Sequence, residues 1–447
     1  MVVKSLAAVL AVAGLAWGEG QASHSSATPQ HFSVSAKRPG VECVTGQSGR
    51  DCGIGVSIEN DELAISPDGK NGYLIIRFFG PDLERGGVYT YDRNPTTGSL
   101  VQKQGTAGCI AQGRRKGCVG GRALRDGSDI VASPDGRNVY AATEDAIAIF
   151  DRDPTTGELT QPAGVAGCIT SKRNKKNPTC AQARGLFSGG IATSPDGMNV
   201  YVGGDSLAVF DRDPTTGALT QKPGPGGAKR AAGDVIVSPD GRNVYAVTFE
   251  PNGIQTFDRD PATGALTRVP GRAGCVSEKG QGGCRRGREL IVFGLSISPD
   301  GRSVYSAGSR GPGRGDYGVV TILDRLPDGT LAQKKGRPGC FAMFGGEGEG
   351  CARTESLGEA NDTTVSADGK RVYVFSYFAR SAELFIRHPS GRLTERPGTK
   401  KSAPLCESPA GRSAAGGCVG NQHRLDQQQG PGSPRARTSR SGNQSKD

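Results

Sequence analysis

The sequence predicts an all-β protein assembled from repeated units of four short antiparallel strands. Nearly the same phrase recurs six times: an apolar stretch, Ser-Pro-Asp-Gly, a strand like Asn-Val-Tyr, Phe-Asp-Arg-Asp-Pro-Thr-Thr-Gly, and Leu-Thr-Gln. The 70 Gly and 27 Pro residues recur in register with these phrases, which indicates turns rather than disorder. A unit this small cannot bury its own apolar face, so neighbouring units must stack to complete a core.

Each unit reads as four strands joined by tight turns. The Ser-Pro-Asp-Gly turn begins at Ser66, Ser133, Ser194, Ser238 and Ser298, and a Ser-Ala-Asp-Gly variant begins at Ser366. In the second unit, residues 129–133 precede the turn and residues 138–142 follow it, as expected of a hairpin closed by Pro, Asp and Gly. Residues 147–150 supply the third strand, and Asp-Pro-Thr-Thr-Gly leads into the fourth at residues 158–161. Radial repetition of such four-stranded units is the architecture of a β-propeller.

Six complete blades are visible, yet the sequence contains seven connections of the kind that joins blades. The blades span residues 60–104, 127–164, 187–223, 231–270, 291–336 and 360–398. Residues 32–40 look like the fourth strand of a seventh blade, whose other strands should follow Cys418. Residues 421–447 are instead polar and basic, with no strand pattern. We therefore expect a seven-bladed design with an incomplete last blade.

The N-terminal end of the chain predicts export. Lys4 precedes an apolar run from Leu6 to Trp17 and then small residues, the pattern of a secretory signal peptide cleaved after Gly18 or Ala22. No later segment reaches the roughly 18 apolar residues that a membrane span needs. We expect a secreted monomer without a membrane span, with an uncleaved N-terminal anchor as the alternative. The predicted parts are a signal peptide at 1–22, an N-terminal segment at 23–42, the propeller at 43–420 and a disordered tail at 421–447.

The twelve cysteines form six pairs whose members lie 9 to 12 residues apart in the Gly- and Arg-rich connections between blades. The pairs are Cys43 with Cys52, Cys109 with Cys118, Cys168 with Cys180, Cys275 with Cys284, Cys340 with Cys351 and Cys406 with Cys418. The connection at residues 221–234 lacks both members at once, which favours disulfides within each pair. Each such loop contributes about 2–3 kcal/mol, mainly by restricting the unfolded chain. Zinc is the competing interpretation, but the sequence has no Cys-x-x-Cys pair and only four His.

The phrases Ser-Pro-Asp-Gly-Arg-Asn-Val-Tyr and Phe-Asp-Arg-Asp-Pro-Thr-Thr-Gly-Ala-Leu-Thr resemble those of bacterial lactonase-like, YVTN-type β-propellers, the 6-phosphogluconolactonase-like group. The resemblance covers residues 31–420 and implies a propeller, usually of seven blades. It also implies His, Glu and Arg at the channel mouth in those relatives that are enzymes. No residue here matches that His, because only His388 lies within a blade, so no catalytic residue is transferred.

Carboxylates recur four residues before the turn serine, where the first strand of a blade enters the channel. They are Glu62, Asp129, Asp234 and Asp362, and Gly190 and Gly294 stand at the two remaining positions. We expect the four to converge near the mouth. One interpretation is a site for a polar ligand or for calcium, which prefers oxygen ligands. The other is that each carboxylate accepts hydrogen bonds from N–H groups at the start of a strand. No other cofactor is predicted.

The cysteine loops are expected on the same face, beside the mouth, and they are basic. Arg114–Lys116, Lys172–Lys176 and Arg285–Arg288 carry most of this charge in a chain of net charge +11. Such a surface attracts an anionic ligand, an anionic polymer or another protein. The loops lack interleaved aromatic residues, so nucleic acid is not an expected partner. Solubility alone is the other explanation of the charge.

Two functions follow from these patterns. The first is a secreted binding or interaction module that uses the basic, disulfide-pinned loop face. The second is a lactone-ring hydrolase that uses mouth carboxylates as a base, with Arg or a bound cation stabilising the oxyanion. The missing His at the mouth favours the first. The recurring Asp-Arg-Asp runs, such as Asp151–Asp153, and the column of tyrosines from Tyr140 to Tyr373 are interpreted as turn and packing residues.

Overall fold

The computed structural model describes most of the six blades and short strands at either end of the chain. The described residues are 36–38, 41–43, 62–76, 86–95, 100–113, 115–172, 179–223, 233–310, 317–343, 350–354, 357–358, 360–376, 381–395 and 406–407. The predicted signal peptide and the predicted polar tail lie outside them.

The strands follow the repeat of the sequence. β1 (Ala36–Arg38) and β2 (Val41–Cys43) precede the blades. Blade 1 contains β3 (Glu62–Ile65), β4 (Asn71–Ile76), β5 (Gly87–Arg93), β6 (Leu100–Gln102), β7 (Cys109–Gln112) and β8 (Val119–Gly121). Blade 2 contains β9 (Gly127–Ala132), β10 (Asn138–Thr143), β11 (Ala146–Arg152), β12 (Leu159–Thr160), β13 (Cys168–Ser171) and β14 (Ala181–Ala183). Blade 3 contains β15 (Leu186–Thr193), β16 (Asn199–Gly204), β17 (Ala208–Arg212) and β18 (Leu219–Gln221).

The second half of the chain repeats this arrangement. Blade 4 contains β19 (Val235–Val237), β20 (Asn243–Phe249), β21 (Asn252–Arg259), β22 (Leu266–Arg268), β23 (Cys275–Glu278) and β24 (Arg285–Gly287). Blade 5 contains β25 (Gly294–Ile297), β26 (Ser303–Arg310), β27 (Tyr317–Arg325), β28 (Leu331–Gln333), β29 (Cys340–Met343) and β30 (Ala352–Thr354). Blade 6 contains β31 (Ala360–Val365), β32 (Arg371–Ser376), β33 (Ser381–Arg387) and β34 (Leu393–Glu395), and β35 (Cys406–Glu407) follows. Short 3-10 turns occur at Gly105–Gly108, Gly164–Gly167, Arg272–Gly274, Gln281–Gly283 and Arg337–Gly339.

The predicted all-β fold with six four-stranded blades is confirmed. In each blade the first three strands form an antiparallel meander and a fourth strand pairs with the end of the third. The first strands of successive blades contact one another from β3 to β31, which makes them the inner wall of the propeller. The two ends of the chain meet as well, because β2 pairs with β1 on one side and with β35 on the other.

Four blades carry two strands beyond the predicted four. In blade 1, β6 pairs with residues 91–93 of β5, and β7 pairs with residues 87–89 of the same strand. β8 then pairs with β7 in parallel. Blades 2, 4 and 5 repeat this arrangement, whereas blades 3 and 6 stop at four strands. The cysteine segments are therefore integral strands of the sheet.

This pairing corrects the predicted position of the cysteine loops. The loops do lie at the predicted end of the blade, the end where the first strand begins. Glu62 of the first strand pairs with Ile75, Ile75 pairs with Val88, and Val88 pairs with Ile110 beside Cys109. They do not lie beside the mouth. At about 4.8 Å per strand, β7 is about 14 Å and β8 about 19 Å from the inner strand β3. We call β7–β8 and their counterparts in blades 2, 4 and 5 the outer rim.

Four of the six predicted cysteine pairs are disulfides within their own loops. They are Cys109–Cys118, Cys168–Cys180, Cys275–Cys284 and Cys340–Cys351. Four disulfides indicate an oxidising environment, extracellular or periplasmic.

The first and last predicted cysteine pairs are not among these disulfides. Cys52 lies outside the described residues, and so does Cys418. Their predicted partners are described through the backbone alone, which places Cys43 of β2 opposite Cys406 of β35 in an antiparallel register. The bond of Cys43 to Cys52 and the bond of Cys406 to Cys418 therefore stay predictions.

The apolar core is divided into layers between consecutive blades. Five clusters of buried side chains join blade 1 to 2, 2 to 3, 3 to 4, 4 to 5 and 5 to 6. A sixth cluster, around Tyr89 and Tyr91, contains residues of blade 1 only. Within the described residues no apolar cluster joins blade 6 to blade 1, and the incomplete last blade stays a prediction.

In blades 2 to 6 a largely buried arginine at the end of the third strand joins the blade to the preceding one. Arg212 of blade 3 donates from Nε to the Tyr140 hydroxyl (2.7 Å) and from Nη2 to Asn138 Oδ1 (2.6 Å) and Asp135 Oδ2 (2.8 Å), all in blade 2. Its Nη1 donates to the Gly197 carbonyl in its own blade (3.0 Å). The same contact to the preceding blade's tyrosine is made by Arg152, Arg259, Arg325 and Arg387. We call this set of contacts the arginine clamp.

The clamp explains the Asp-Arg-Asp runs and the tyrosine column. The second Asp of the run is a turn residue as predicted, because Asp153 accepts N–H bonds from Thr155 (2.7 Å) and Thr156 (2.9 Å). The arginine between the two carboxylates instead carries the contact between blades. Burial raises the pKa of Tyr201 to about 12, so its hydroxyl stays protonated and donates to the Gly264 carbonyl (2.9 Å).

Replacing one clamp arginine should destabilise the whole array. Arg212→Met keeps an apolar stem but leaves Tyr140, Asn138 and Asp135 without their shared donor. We expect the free energy of unfolding to fall by about 3 kcal/mol, the low end for a broken buried ion pair, because Asp135 is partly exposed. Urea unfolding measures the loss. Arg137→Met, at an exposed arginine in the turn of blade 2, is the matched control and should change little. Equal losses in both variants would contradict the clamp.

Candidate functional site at the channel mouth

The first strands begin at one end of the blades, and we call this end the mouth. Asp129 lies in β9 and Asp362 in β31, while Asp234 directly precedes β19. Glu62 opens β3 at the corresponding position, but its side chain lies outside the described part of the structure. The predicted carboxylates therefore occupy equivalent places at the entrance of four blades.

The carboxylates of Asp129 and Asp234 accept hydrogen bonds from backbone groups of two blades. Asp129 is only 6% exposed, and its oxygens accept from the N–H of Ile130 (2.6 Å) and of Ile191 in blade 3 (2.7 Å). Asp234 accepts from the N–H of Val235 (2.6 Å) and of Leu295 in blade 5 (2.7 Å). Each carboxylate thus ties its own first strand to the first strand of the next blade.

The two glycines in this register are matched to the carboxylates. A Cβ on Gly190 would lie 2.3 Å from Asp234 Oδ1, and a Cβ on Gly294 would lie 2.2 Å from Asp362 Oδ1. Aspartate and glycine alternate from blade 2 to blade 6, and Asp234 and Asp362 fill the space that the glycine of the preceding blade leaves. In the sequence, this contact is indicated by a glycine at the position where other blades carry a carboxylate.

Burial sets the protonation of the mouth carboxylates. Loss of solvation raises the pKa of Asp129 to about 7, although its two backbone hydrogen bonds oppose the shift. Burial also raises the pKa of Asp362 well above its usual range, and the negative charges of Asp234 and Asp129 add to the effect. In the described part of the chain, no group of three or more His, Cys, Asp or Glu side chains is arranged to hold a metal ion.

The described surface around these carboxylates carries exposed aromatic rings and acidic side chains, one of which, Glu144, is paired with Arg125 at 3.7 Å. Phe187, Phe249 and Phe293 are 50%, 46% and 42% exposed on blades 3, 4 and 5. Acidic residues occupy the hairpins between second and third strands on this end, with Glu144 in blade 2, Asp205 in blade 3 and Glu250 in blade 4. The predicted position of the basic loops beside the mouth is wrong, because the described parts of the cysteine loops lie at the outer rim.

Several basic residues of the outer rim are held by specific contacts. Arg115 lies over the Tyr89 ring, 5.7 Å from its centroid, and also donates to the Tyr89 hydroxyl. Arg285 donates to Thr330 Oγ1 (3.0 Å) and to the Leu331 carbonyl (2.9 Å). The outward-facing cations of the described rim are exposed; they include Lys116, Lys172 and Arg286.

The glutamine of the Leu-Thr-Gln phrase fixes the connection between blades. Gln161 accepts from the Arg122 N–H (2.9 Å) and donates to the Arg122 carbonyl (3.0 Å) and the Gly167 carbonyl (2.9 Å). Gln333 makes the same three contacts with Arg288 and Gly339. The recurrence of this glutamine next to a Gly- and Cys-bearing turn is the signal that sequence reasoning missed.

The described residues include one histidine, His388. His388 is exposed, lies in the turn after β33 and contacts Thr394 Oγ1 at 3.0 Å. This turn is at the opposite end of the blade from the mouth, as predicted. Over the described ranges, no helix has the length and apolar character needed to cross a membrane.

The raised pKa of Asp129 predicts a specific dependence of stability on pH. A group whose pKa is raised from 3.8 to about 7 by folding contributes fully below 3.8, and that contribution is lost as the pH rises toward 7. Asp129→Asn should remove this decline from the free energy of unfolding, measured by urea titration between pH 4 and 8. Asp135 is the matched control, since folding lowers its pKa and Asp135→Asn should remove stability above pH 4 instead. Parallel profiles for the wild type and Asp129→Asn would contradict this assignment.

Comparisons with known proteins test the resemblance to lactonase-like β-propellers. Residues 171–277, which include blade 3 and most of blade 4, match the sequence model of the family described as lactonase, 7-bladed β-propeller. No curated protein sequence matches the chain. Among solved structures, a candidate 6-phosphogluconolactonase from Bacteroides uniformis is 17% identical, with 75% of this chain and 83% of that chain covered at a TM-score of 0.49. The periplasmic gluconolactonase of Pseudomonas aeruginosa is 14% identical, with 82% and 93% covered at a TM-score of 0.47. The family match confirms the resemblance indicated by the repeat phrases: over residues 171–277 this chain is similar to the seven-bladed lactonase-type β-propellers.

Proposed function

We propose that this chain is a secreted binding module of lactonase-like fold, and that it acts through the basic outer rim. The observation that carries the proposal is the way the rim is built. In four blades a disulfide and two added strands hold a loop rigidly at the exposed edge of the sheet. Long loops fixed on a rigid scaffold are where binding residues concentrate.

The charge of the rim indicates the class of ligand. Lys116, Lys172 and Arg286 are exposed on three different blades, and the net charge of the chain is +11. Cations distributed along an edge and held in place favour an extended anionic partner over a single small anion. An anionic polymer or an acidic protein surface is therefore the ligand class that we assign.

Rigid presentation lowers the entropic cost of binding. Gln161 and Gln333 fix the connections on either side of the rim by paired backbone contacts. The disulfides restrict the loops further, so few backbone degrees of freedom are lost when a ligand binds. This rigidity supports recognition of a repeating partner.

A lactone-ring hydrolase at the mouth is the second candidate. Two observations favour it: the match of residues 171–277 to the lactonase family, and the Asp129 pKa of about 7, which suits a general base near neutral pH. Against it, Asp129 is buried, and both of its oxygens already accept backbone N–H bonds. We therefore rank catalysis below binding.

The binding proposal is tested with dextran sulfate as the anionic probe and neutral dextran as its control. Replacing Lys116, Lys172 and Arg286 together by Ala should weaken binding of dextran sulfate about tenfold at physiological salt. The matched control replaces three exposed arginines in turns at the opposite end of the blades, Arg137, Arg242 and Arg302. Calorimetric titration measures both affinities. Equal weakening by the two triple variants would reduce the effect to net charge and contradict a rim site.

The hydrolase alternative is tested on purified protein with a sugar lactone, with and without calcium. We expect no turnover by the folded protein. Turnover that Asp129→Asn or Asp234→Asn abolishes, with the melting transition retained, would reverse the ranking of the two functions. Turnover that appears only with calcium would assign the mouth carboxylates as cation ligands.

A further inference from the structure

Blade 3 has an open sheet edge where blades 1, 2, 4 and 5 carry a fifth and a sixth strand. In blade 2 the fifth strand, β13, pairs with β11 so that Ile169 lies opposite Ile147. Leu207 stands at the place of Ile147 in the repeat of blade 3. No strand of the described chain pairs with Leu207 on this outer side, although Ser206 beside it makes an isolated bridge. An edge of this kind can pair with an added strand.

The backbone of Leu207 points toward that open side. The Lys222 N–H donates to the Val209 carbonyl (2.9 Å), so the backbone groups of Val209 point outward. Alternate residues of an antiparallel strand point the same way, and the N–H and C=O of Leu207 therefore do so too. The fifth strand of blade 2 has the same register, because the Ser171 N–H donates to the Asp145 carbonyl (2.7 Å). A residue opposite Leu207 would exchange two hydrogen bonds with it.

In the four blades with a fifth strand, one apolar side chain of that strand fills the space toward the next blade. Each of these residues is at most 8% exposed and belongs to a core cluster between blades; they are Ile110, Ile169, Val276 and Phe341. The described cluster between blades 3 and 4 contains no such residue. A cavity of about 410 Å³ lies there instead, and Leu207, Val209 and Leu266 contribute to its wall. Because directly opposed residues place their side chains on the same face, an apolar residue opposite Leu207 would point into this cavity.

A glutamine beside the edge is ready for a further contact. In blades 1, 2 and 5 the corresponding glutamine donates from Nε2 to the carbonyl of the glycine two residues before the apolar side chain. Gln221 donates from Nε2 to the Arg184 carbonyl (2.8 Å) and accepts the Arg184 N–H (3.0 Å). Among the described residues no glycine takes the remaining place. An added strand in the same register would present a carbonyl to Gln221.

The chain itself does not supply the missing side chain. Residues 224–232, which connect blade 3 to blade 4, contain no Val, Ile, Leu, Met or Phe. The four described strands of this chain that carry the apolar residue already fill their own blades, so a second copy has none to donate. The occupant that fits is therefore a strand of a different protein.

The charge of the cavity wall indicates which strand. The described residues that line the cavity include Arg184 and Lys222 and no carboxylate. Lys222 is already paired with Asp211 (2.6 Å), so the exposed Arg184 supplies the charge toward the solvent. Arg184 lies beside Gln221, and an antiparallel strand would bring residues that precede its apolar side chain to this place. An acidic residue there is complementary to Arg184.

We propose that the open edge of blade 3 binds an extended peptide segment of a partner protein as a fifth strand. The segment places one Ile or Val side chain in the cavity, exchanges backbone hydrogen bonds with Leu207, and carries an acidic residue on the N-terminal side that faces Arg184. Strand addition of this kind takes affinity from the backbone and specificity from the side-chain pocket. The site is independent of the outer rim, because blade 3 has no rim strands.

The first test varies the peptide and leaves the full-length protein unchanged. The fluorescein-labelled probe Asp-Gly-Ala-Ile-Thr-Ser follows the register of residues 166–171, and fluorescence anisotropy should detect its binding. Methylation of the Ile amide nitrogen keeps the side chain but removes the bond to the Leu207 carbonyl, and should weaken binding about tenfold. Replacing Ile by Ser in the probe should weaken binding at least tenfold, because the cavity then stays empty.

The second test varies the protein. Ala265→Trp places a large side chain at the cavity wall and should weaken binding of the probe at least tenfold. Ala218→Trp is the matched control, because Ala218 holds the same turn position in blade 3, beside the layer that Ile169 already fills. Arg184→Gln keeps the backbone contacts with Gln221 and should weaken binding about threefold.

Four results would each overturn the proposal. Equal affinity for the probe and its N-methylated form would exclude strand addition, and equal weakening by the two Trp variants would exclude the cavity. Binding at least tenfold tighter after residues 225–231 are replaced by Gly and Ser would make the chain's own connection the occupant. Self-association in sedimentation that Ala265→Trp abolishes would make a second copy the occupant. If Ala265→Trp does not fold, the peptide comparison on the unchanged protein still decides.

Discussion

The arginine clamp is the contact on which the array depends. A guanidinium that is nearly excluded from solvent is tolerated only when its donors are satisfied, and in each clamp the acceptors belong to two blades. Arg259, for example, reaches Tyr201, Asn199 and Asp196 of the preceding blade at 2.6–2.7 Å. A blade without its neighbour would leave these groups unsatisfied. The clamp therefore makes each blade's stability conditional on the blade before it.

The clamp also gives the array a direction, so its two ends differ. Blade 6 receives no clamp from a following blade within the described residues. At its asparagine position stands Arg371, whose Nη1 lies 3.5 Å from Asp368 of the same blade. Tyr373 is only half-buried, whereas the corresponding tyrosines of the other five blades are fully buried. Terminal repeats with a modified, more polar face are typical of stacked architectures.

The blades could be predicted from the repeats, because turn residues and the alternation of side chains along a strand depend only on residues close together in the sequence. The position of the cysteine loops was not, since it depends on β7 pairing with the first half of β5. The short turn at Gly105–Gly108 separates β6 from β7. This turn was the signal in the sequence that two different strands pair with β5. Phe187 and Phe293 stand beside apolar residues that resemble core strands, so only the structure distinguishes them from buried neighbours. The aspartate–glycine contacts at the mouth were not predicted, because they join different blades and their one sequence signal is the glycine in the carboxylate register.

The contacts between blades also separate the residues that hold the fold from those that can bind a partner. At the turn end the clamps occupy the recurring Asp, Tyr and Arg between consecutive blades, with an Asn as well in blades 1 to 4, and at the mouth Asp129 and Asp234 bridge first strands. What remains exposed in the described chain is the mouth, with its phenylalanine rings, and the basic rim. These surfaces are about 14–19 Å apart across the sheet, beyond the Debye length of about 8 Å at physiological salt. Their fields are therefore largely screened from each other.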